Sequence, residues 1–192
     1  MGIRQEQREK RKQEILEAAL DLFISKGYSE TKVSDIAKKV NMSMGLLFHY
    51  FESKAKLYEE LIHIGLMGPA SAMEIDDSDP LRFFEMVAAY VISALRDNPF
   101  VAKMFVLMLQ IRFRTDLPEP LKSLIEDSSQ LEKSVAIIEA GQARGQIRQG
   151  DPAALAILFW QALSGVALYA AVVPDGPIPE AEWIIDCIRR KE

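Results

Sequence analysis

The chain has one cysteine, Cys187, among 192 residues. No disulfide can close within one copy, so the fold is held by its core alone. Cys187 reads either as a small apolar residue near the C-terminus or as a redox-active thiol. Histidine is scarce as well. His49 and His63 stand 14 positions apart with no cysteine or carboxylate cluster beside them, so no metal site is expected. The chain has no Gly-rich phosphate loop, no GxSxG and no HExxH. Nothing therefore marks an enzyme, and nothing calls for a cofactor. The longest apolar runs, 101–113 and 153–173, are broken by Lys103, Gln110, Arg112, Gln161 and Ser164. They suit buried helices rather than membrane spans. The N-terminal stretch is charged and lacks the apolar run of a secretory signal, which sets the expectation of a soluble, cytoplasmic protein with no membrane contact. Strand alternation, repeats and low-complexity segments are also missing, and an all-α fold is expected.

What is present is a core-forming chain, 49% hydrophobic, long enough for one or two domains. The net charge of −5 argues against a nucleic-acid partner until its distribution is read. Residues 1–56 hold 11 Lys and Arg against 8 Asp and Glu, a balance of +3; the remainder holds 12 against 20, a balance of −8. A basic head on an acidic body turns the head toward phosphate. Arg8, Lys10, Arg11 and Lys12 cluster before the first apolar stripe. They are either a solvated helix start or a backbone contact.

Helical periodicity runs along the whole chain. A first helix is expected over about 8–26, with Ile15, Ala19, Leu22 and Phe23 on one stripe and Gly27 as its stop. Ser53 caps a fourth helix carrying Leu57, Leu61, Ile62 and Ile64, which Gly65, Gly68 and Pro69 weaken. Pro80 opens a fifth helix to about 96, and Asn98-Pro99 separates it from a sixth over about 100–113. A break at 116–120 precedes a seventh, ending near Arg144, with Leu121, Leu124, Ile125, Leu131, Val135 and Ile138 as its apolar face. Asp151-Pro152 opens an eighth, apolar nearly all round, and a ninth is expected over about 180–190. An eighth helix of that kind needs partners on two sides: the body's own core and a second subunit. Its outward face is assigned to Ala167, with Ala171 as the alternative register.

The most informative stretch is 31–51, TKVSDIAKKVNMSMGLLFHYF. Ile36, Ala37 and Val40 give a helix over about 33–40 its apolar face. Asn41 tolerates the left-handed conformation that stops a helix, and Ser43 is a good N-cap for a second helix over about 44–50. A two-turn helix is not stable alone. Its use lies in what it presents, and a helix-turn-helix presents its second helix to the major groove. The order Gly27-Tyr28, Thr31, Asp35-Ile36-Ala37, Ser43, Gly45, Leu47 to Phe51 and Lys54 resembles the DNA-binding domain of the TetR family of bacterial transcriptional regulators. The resemblance covers roughly residues 10–62.

That resemblance implies a three-helix DNA-binding head over residues 1–53 and a helical ligand-binding and dimerisation body over 54–192. Helices eight and nine would form a homodimer, placing two recognition helices on a near-palindromic double-stranded operator. Lys32, Ser34, Ser43, Met44, Gly45, Leu46, Phe48, His49, Tyr50 and Lys54 are the expected DNA-binding residues. His49, Tyr50 and Lys54 would touch phosphates, although Tyr50 also fits packing against the first helix. Gly45 reads either as room for the DNA backbone or as a tolerated glycine. Met44 and Phe48 depart from the family, which often has a polar or basic residue and a tyrosine there. Met44 can touch a thymine methyl but cannot hold guanine by two hydrogen bonds.

In the body, Met67, Met86, Tyr90, Phe105, Met108, Arg112, Phe159 and Trp160 are the candidate ligand-binding residues. Methionines and aromatics can line an adaptable apolar pocket, and they also make ordinary core. Arg112 pairs either with an anionic group on the ligand or with solvent. The implied function is a repressor released from its operator by a small, largely apolar ligand. The alternative is a DNA-binding regulator without such a ligand, controlled by a protein partner; a body closed to cavities would favour it.

Overall fold

Side-chain caps set the starts of several helices. The computed structural model of the chain describes residues 2–73, 75–114, 117, 119 and 130–191. Within them lie α1 (Ile3–Lys26), α2 (Val33–Lys39), α3 (Met44–Phe48), α4 (Lys54–Met73), α5 (Pro80–Asp97), α6 (Pro99–Ile111), α7 (Gln130–Ala143), α8 (Pro152–Val172) and α9 (Ala181–Ile185). Three helices open on one device. Asp79, Asn98 and Asp151 accept the N–H of Arg82, Phe100 and Ala154 at 3.2, 3.0 and 2.8 Å, each with proline next in the chain. The side chain satisfies an orphan donor, and proline has none to lose.

The fold is all-α, as expected. Among the described residues the only β feature is an isolated antiparallel bridge, Ile147 to Arg189. It explains why α9 ends at Ile185 and not near 190. The chain turns there so that Ile188 O accepts Arg148 N at 2.9 Å and Arg190 N reaches Gln146 O at 3.0 Å. α4 runs on through Gly65, Gly68 and Pro69, which were expected to weaken it. At Gly65 the reason is tertiary: a Cβ there would stand 2.5 Å from Met108 Sδ on α6. Close packing outweighs a propensity cost of about 1 kcal/mol. The break at 116–120 and the expected start of the seventh helix, with Leu121, Leu124 and Ile125, lie outside the described residues apart from Leu117 and Glu119.

Two apolar cores divide the molecule. The body core joins Phe83, Phe84 and Val87 of α5, Ile138 of α7, Phe159 and Leu163 of α8, and Ile184 of α9. Phe84 and Phe159 meet edge to face, centroids 4.8 Å apart. The head core joins Ile15, Leu20 and Phe23 of α1, Ile36 of α2, Leu47 of α3 and Leu57, Tyr58 and Leu61 of α4 with Met104, Leu107 and Ile111 of α6. Thus one face of α6 completes the head's core, while Ala102, Val101 and Phe105 pack into the body's.

α8 buries Leu155, Ala156, Phe159, Leu163, Ala167 and Ala170 and exposes Ile157, Leu158, Tyr169 and Val172. This corrects the assignment of Ala167 to the outward face: it is fully buried in the protomer's own core. By length and composition α8 could also cross a membrane. Its inner face instead packs into the body core.

Polar contacts tie α6 to the head. Asp21 of α1 accepts hydrogen bonds from Lys103 of α6 at 2.6 Å and Lys39 of α2 at 2.7 Å. Gln110 Nε2 donates to Ile24 O at 3.3 Å. Burial pushes the Asp21 carboxyl up, but the bonds from Lys103 and Lys39 outweigh it and hold the pKa below the ordinary 3.8. Its stabilisation is therefore complete above 3.8 and is lost as pH falls through the lower folded-state value. We expect Asp21→Asn to cost about 1 kcal/mol at pH 7, allowing for screening of a partly exposed pair. In denaturant titrations the difference from the parent should shrink as the pH is taken from 7 to below 3.8. A difference equal at both pH values would show that charge is not the cause.

Candidate nucleic-acid interface

The turn between α2 and α3 is built as its residue types dictate. Asn41 takes φ 52°, the left-handed conformation expected of it. Met42 N returns to Ala37 O at 2.9 Å, closing α2. Ser43 Oγ then accepts Leu46 N at 3.2 Å and caps α3. Only Leu47 of α3 is buried, and Phe51 follows it into the head core. These two side chains hold the five-residue helix against the head.

The rest of α3 faces outward. At about 3.6 residues per turn, Gly45 and His49 occupy the arc farthest from Leu47. Met44 and Phe48 flank that arc on one side and Leu46 on the other. Met44, Leu46 and Phe48 are 50, 46 and 44% exposed. A Cβ on Gly45 would meet nothing within 4 Å, so the chain's own packing does not require glycine there. Ser34 and Lys32 sit exposed at the start of α2. Tyr50 is half-buried against the head core, which favours its packing role.

Lys54 is placed differently from the phosphate contact expected of it. Its ammonium donates to Tyr28 O at 2.7 Å and Thr31 O at 2.9 Å, with Ser29 O at 3.4 Å. It also lies 4.4 Å from the centroid of the Tyr28 ring. Burial lowers its pKa below the ordinary lysine value, partly opposed by Glu30. Thr31 closes the same loop by donating to Gly27 O at 2.7 Å. Sequence reasoning missed this clamp, since its acceptors are backbone carbonyls more than twenty residues away. It also missed α6, although Met104, Leu107 and Ile111 recur at i, i+3 and i+7.

Many head cations are already paired. Arg11 meets Glu14, Lys12 meets Glu60, Lys26 meets Asp35, Lys39 meets Asp21 and Lys56 meets Glu59. Among the described residues of the head, Arg4, Arg8, Lys10, Lys32 and Lys38 are exposed and make no ion pair. They are the charges left to face phosphate.

Of the expected ligand-binding residues, Phe105, Phe159 and Trp160 share the body core and the others lie apart from it. Phe159 is fully buried in the body core, and Trp160 Nε1 donates to Ser134 Oγ at 2.9 Å. Phe105 packs against the body core and Met108 against the head core. Met67, Met86, Tyr90 and Arg112 are exposed. The phase of α5 explains two of these: its buried stripe is centred on Phe84, Ala88, Val91 and Leu95, which leaves Met86 and Tyr90 on the far side. Among the described residues, two open clefts stand out. One of about 570 Å³ lies between α1, the end of α2 and the start of α6, lined by Arg11, Glu14, Asp21, Lys39, Asn98 and Lys103 among others. The other, about 370 Å³, is lined by Asp77 and by Lys133, Ala136, Ile137 and Ala140 of α7.

Residues 15–61 match the family model described as bacterial regulatory proteins, tetR family. The chain is similar to the HTH-type transcriptional regulator RutR of Escherichia coli strain K12, at 28% identity over 170 residues, covering 85% of this chain and 76% of RutR. It is also similar to IcaR, the negative regulator of the biofilm operon icaADBC in Staphylococcus aureus strain Newman, at 41% over 51 residues, 27% of each chain. The same fold occurs in AibR, solved in complex with isovaleryl coenzyme A and operator DNA. That match has a TM-score of 0.62 at 21% identity and covers 92% of this chain and 94% of AibR.

The Lys54 clamp separates two roles by measurement. Lys54→Ala should lower stability by about 1–2 kcal/mol, through lost charge-assisted hydrogen bonds. It should leave the salt dependence of DNA binding unchanged. Unchanged stability with a salt slope shallower by about one unit would identify Lys54 as a phosphate contact.

Proposed function

Because the chain belongs to the TetR family of bacterial transcriptional regulators, whose members bind DNA operators as dimers, we propose that it is a homodimeric repressor of a near-palindromic operator. The observation that carries this is α3: a five-residue helix fixed by its cap and one buried leucine, with its remaining surface exposed. Ser43, Met44, Gly45, Leu46, Phe48 and His49 enter the major groove in this reading. Lys32, Ser34 and the cations at the start of α1 hold phosphates, fixing register without reading sequence. The role is non-catalytic and cytoplasmic.

The dimer forms through α8 and α9. Supporting this, α8 leaves Ile157, Leu158, Tyr169 and Val172 exposed, and Trp183 of α9 is 64% exposed. Such a surface invites a second copy. Release follows when a small, largely apolar effector changes the spacing of the two heads. The proposed effector site lies in the body, among α4 to α8. A ligand there acts only by binding the non-operator state better. The AibR complex with isovaleryl coenzyme A supports an acyl thioester as the first class to try. The second reading, control by a protein partner, is favoured by the charged and polar lining of the larger cleft.

Two measurements test this. Leu158→Asp and Gly165→Asp place charge on the exposed face of α8, and both should give monomers by light scattering. If both variants stay dimeric, that face is not the interface. An operator recovered from genomic fragments should be released at least about tenfold by short-chain acyl thioesters or fatty acids, a typical size for coupling between sites. If no apolar compound changes operator affinity or melting temperature, control passes to a protein partner.

A further inference from the structure

We infer that α3 discriminates DNA sequence through thymine 5-methyl groups, so that the half-site opposite it is thymine-rich. This rests on the DNA-binding reading above. In the major groove, guanine is read by two-pronged arginine or lysine contacts and adenine by asparagine or glutamine. Between Ser43 and His49 the chain has none of these residues. The outward side chains are instead Met44, Leu46 and Phe48, all close to half exposed. The Ser43 hydroxyl is already engaged as acceptor for Leu46 N. His49 is left as the one polar ring on the outer arc. Gly45, at the centre of that arc, adds no side chain and leaves open space over the backbone. The helix can therefore approach the groove floor closely, and its two apolar flanks then meet base edges.

An apolar flank has two effects on selectivity. Covering a thymine methyl removes apolar surface from water on both sides. Covering a cytosine amino group or a guanine edge strips hydrogen-bonded water and returns nothing. Discrimination thus comes from favouring methyls and from penalising G·C pairs. The exposed cations Arg4, Arg8, Lys10 and Lys38 supply attraction to any duplex. Duplex DNA is the occupant this arrangement fits, because the same head carries exposed, unpaired cations and a charge balance of +3 over residues 1–56.

The test uses the full-length protein and the duplex it enriches from a random-sequence pool. Thymines of the enriched half-site are replaced one at a time by deoxyuridine, which keeps every pairing and groove hydrogen bond and removes only the methyl. At one or two positions per half-site, affinity should fall about fourfold for each methyl lost, with the salt slope unchanged. Met44→Ala and Phe48→Ala alter exposed side chains and leave the head core intact. Each should abolish the thymine-over-uracil preference at its own position. A sequence-specific complex indifferent to uracil at every position would refute methyl readout while leaving the DNA-binding role standing. Failure to enrich any sequence over random duplex would sink both.

Discussion

The head depends on an apolar core that its own three helices do not complete. α1, α2 and α3 contribute Ile15, Leu20, Phe23, Ile36 and Leu47, but Leu57, Tyr58 and Leu61 of α4 and Met104, Leu107 and Ile111 of α6 finish it. A helix as short as α3 cannot hold itself. It is ordered because Leu47 has a preformed apolar floor to settle on. The expected boundary between residues 53 and 54 therefore runs through a packed core. Any movement of α6 in the body reaches that floor without an intermediary, and the Asp21 contact to Lys103 adds a polar tie along the same path.

Charge adds a second layer. The +3 balance of the first 56 residues points to the partner, but it overstates the free charge. Lys12, Lys26, Lys39 and Lys56 are engaged with carboxylates, and Lys54 with carbonyls. Exposed pairs of this kind add little stability. Their effect is to confine unpaired positive charge to a few positions.

How much of this was legible in the sequence follows from range. Caps are local, so Asn41, Ser43, Asp79-Pro80, Asn98-Pro99 and Asp151-Pro152 could be read from neighbouring residues, and the structure has each of them at a helix end. The two helices of the helix-turn-helix were legible for the same reason. The phase of α8 was not. A helix apolar all round carries no stripe to orient it, and Ala167 went to the wrong side. The Lys54 clamp was not legible for another reason: a lysine beside a DNA-binding motif looks the same whether it meets phosphate or carbonyl. The ligand-binding residues were chosen by composition without register. On α5 the buried stripe centred on Phe84, Ala88, Val91 and Leu95 leaves Met86 and Tyr90 on the far side.

Gly65 carries one more consequence. Because it lacks a side chain, α4 and α6 meet there with a thioether almost against backbone. The atoms that fill the space belong to Met104 and Met108, flexible side chains that can turn about their own torsions. A side chain at position 65 would therefore first displace these two thioethers, and with them part of the packing of the head core to which they belong.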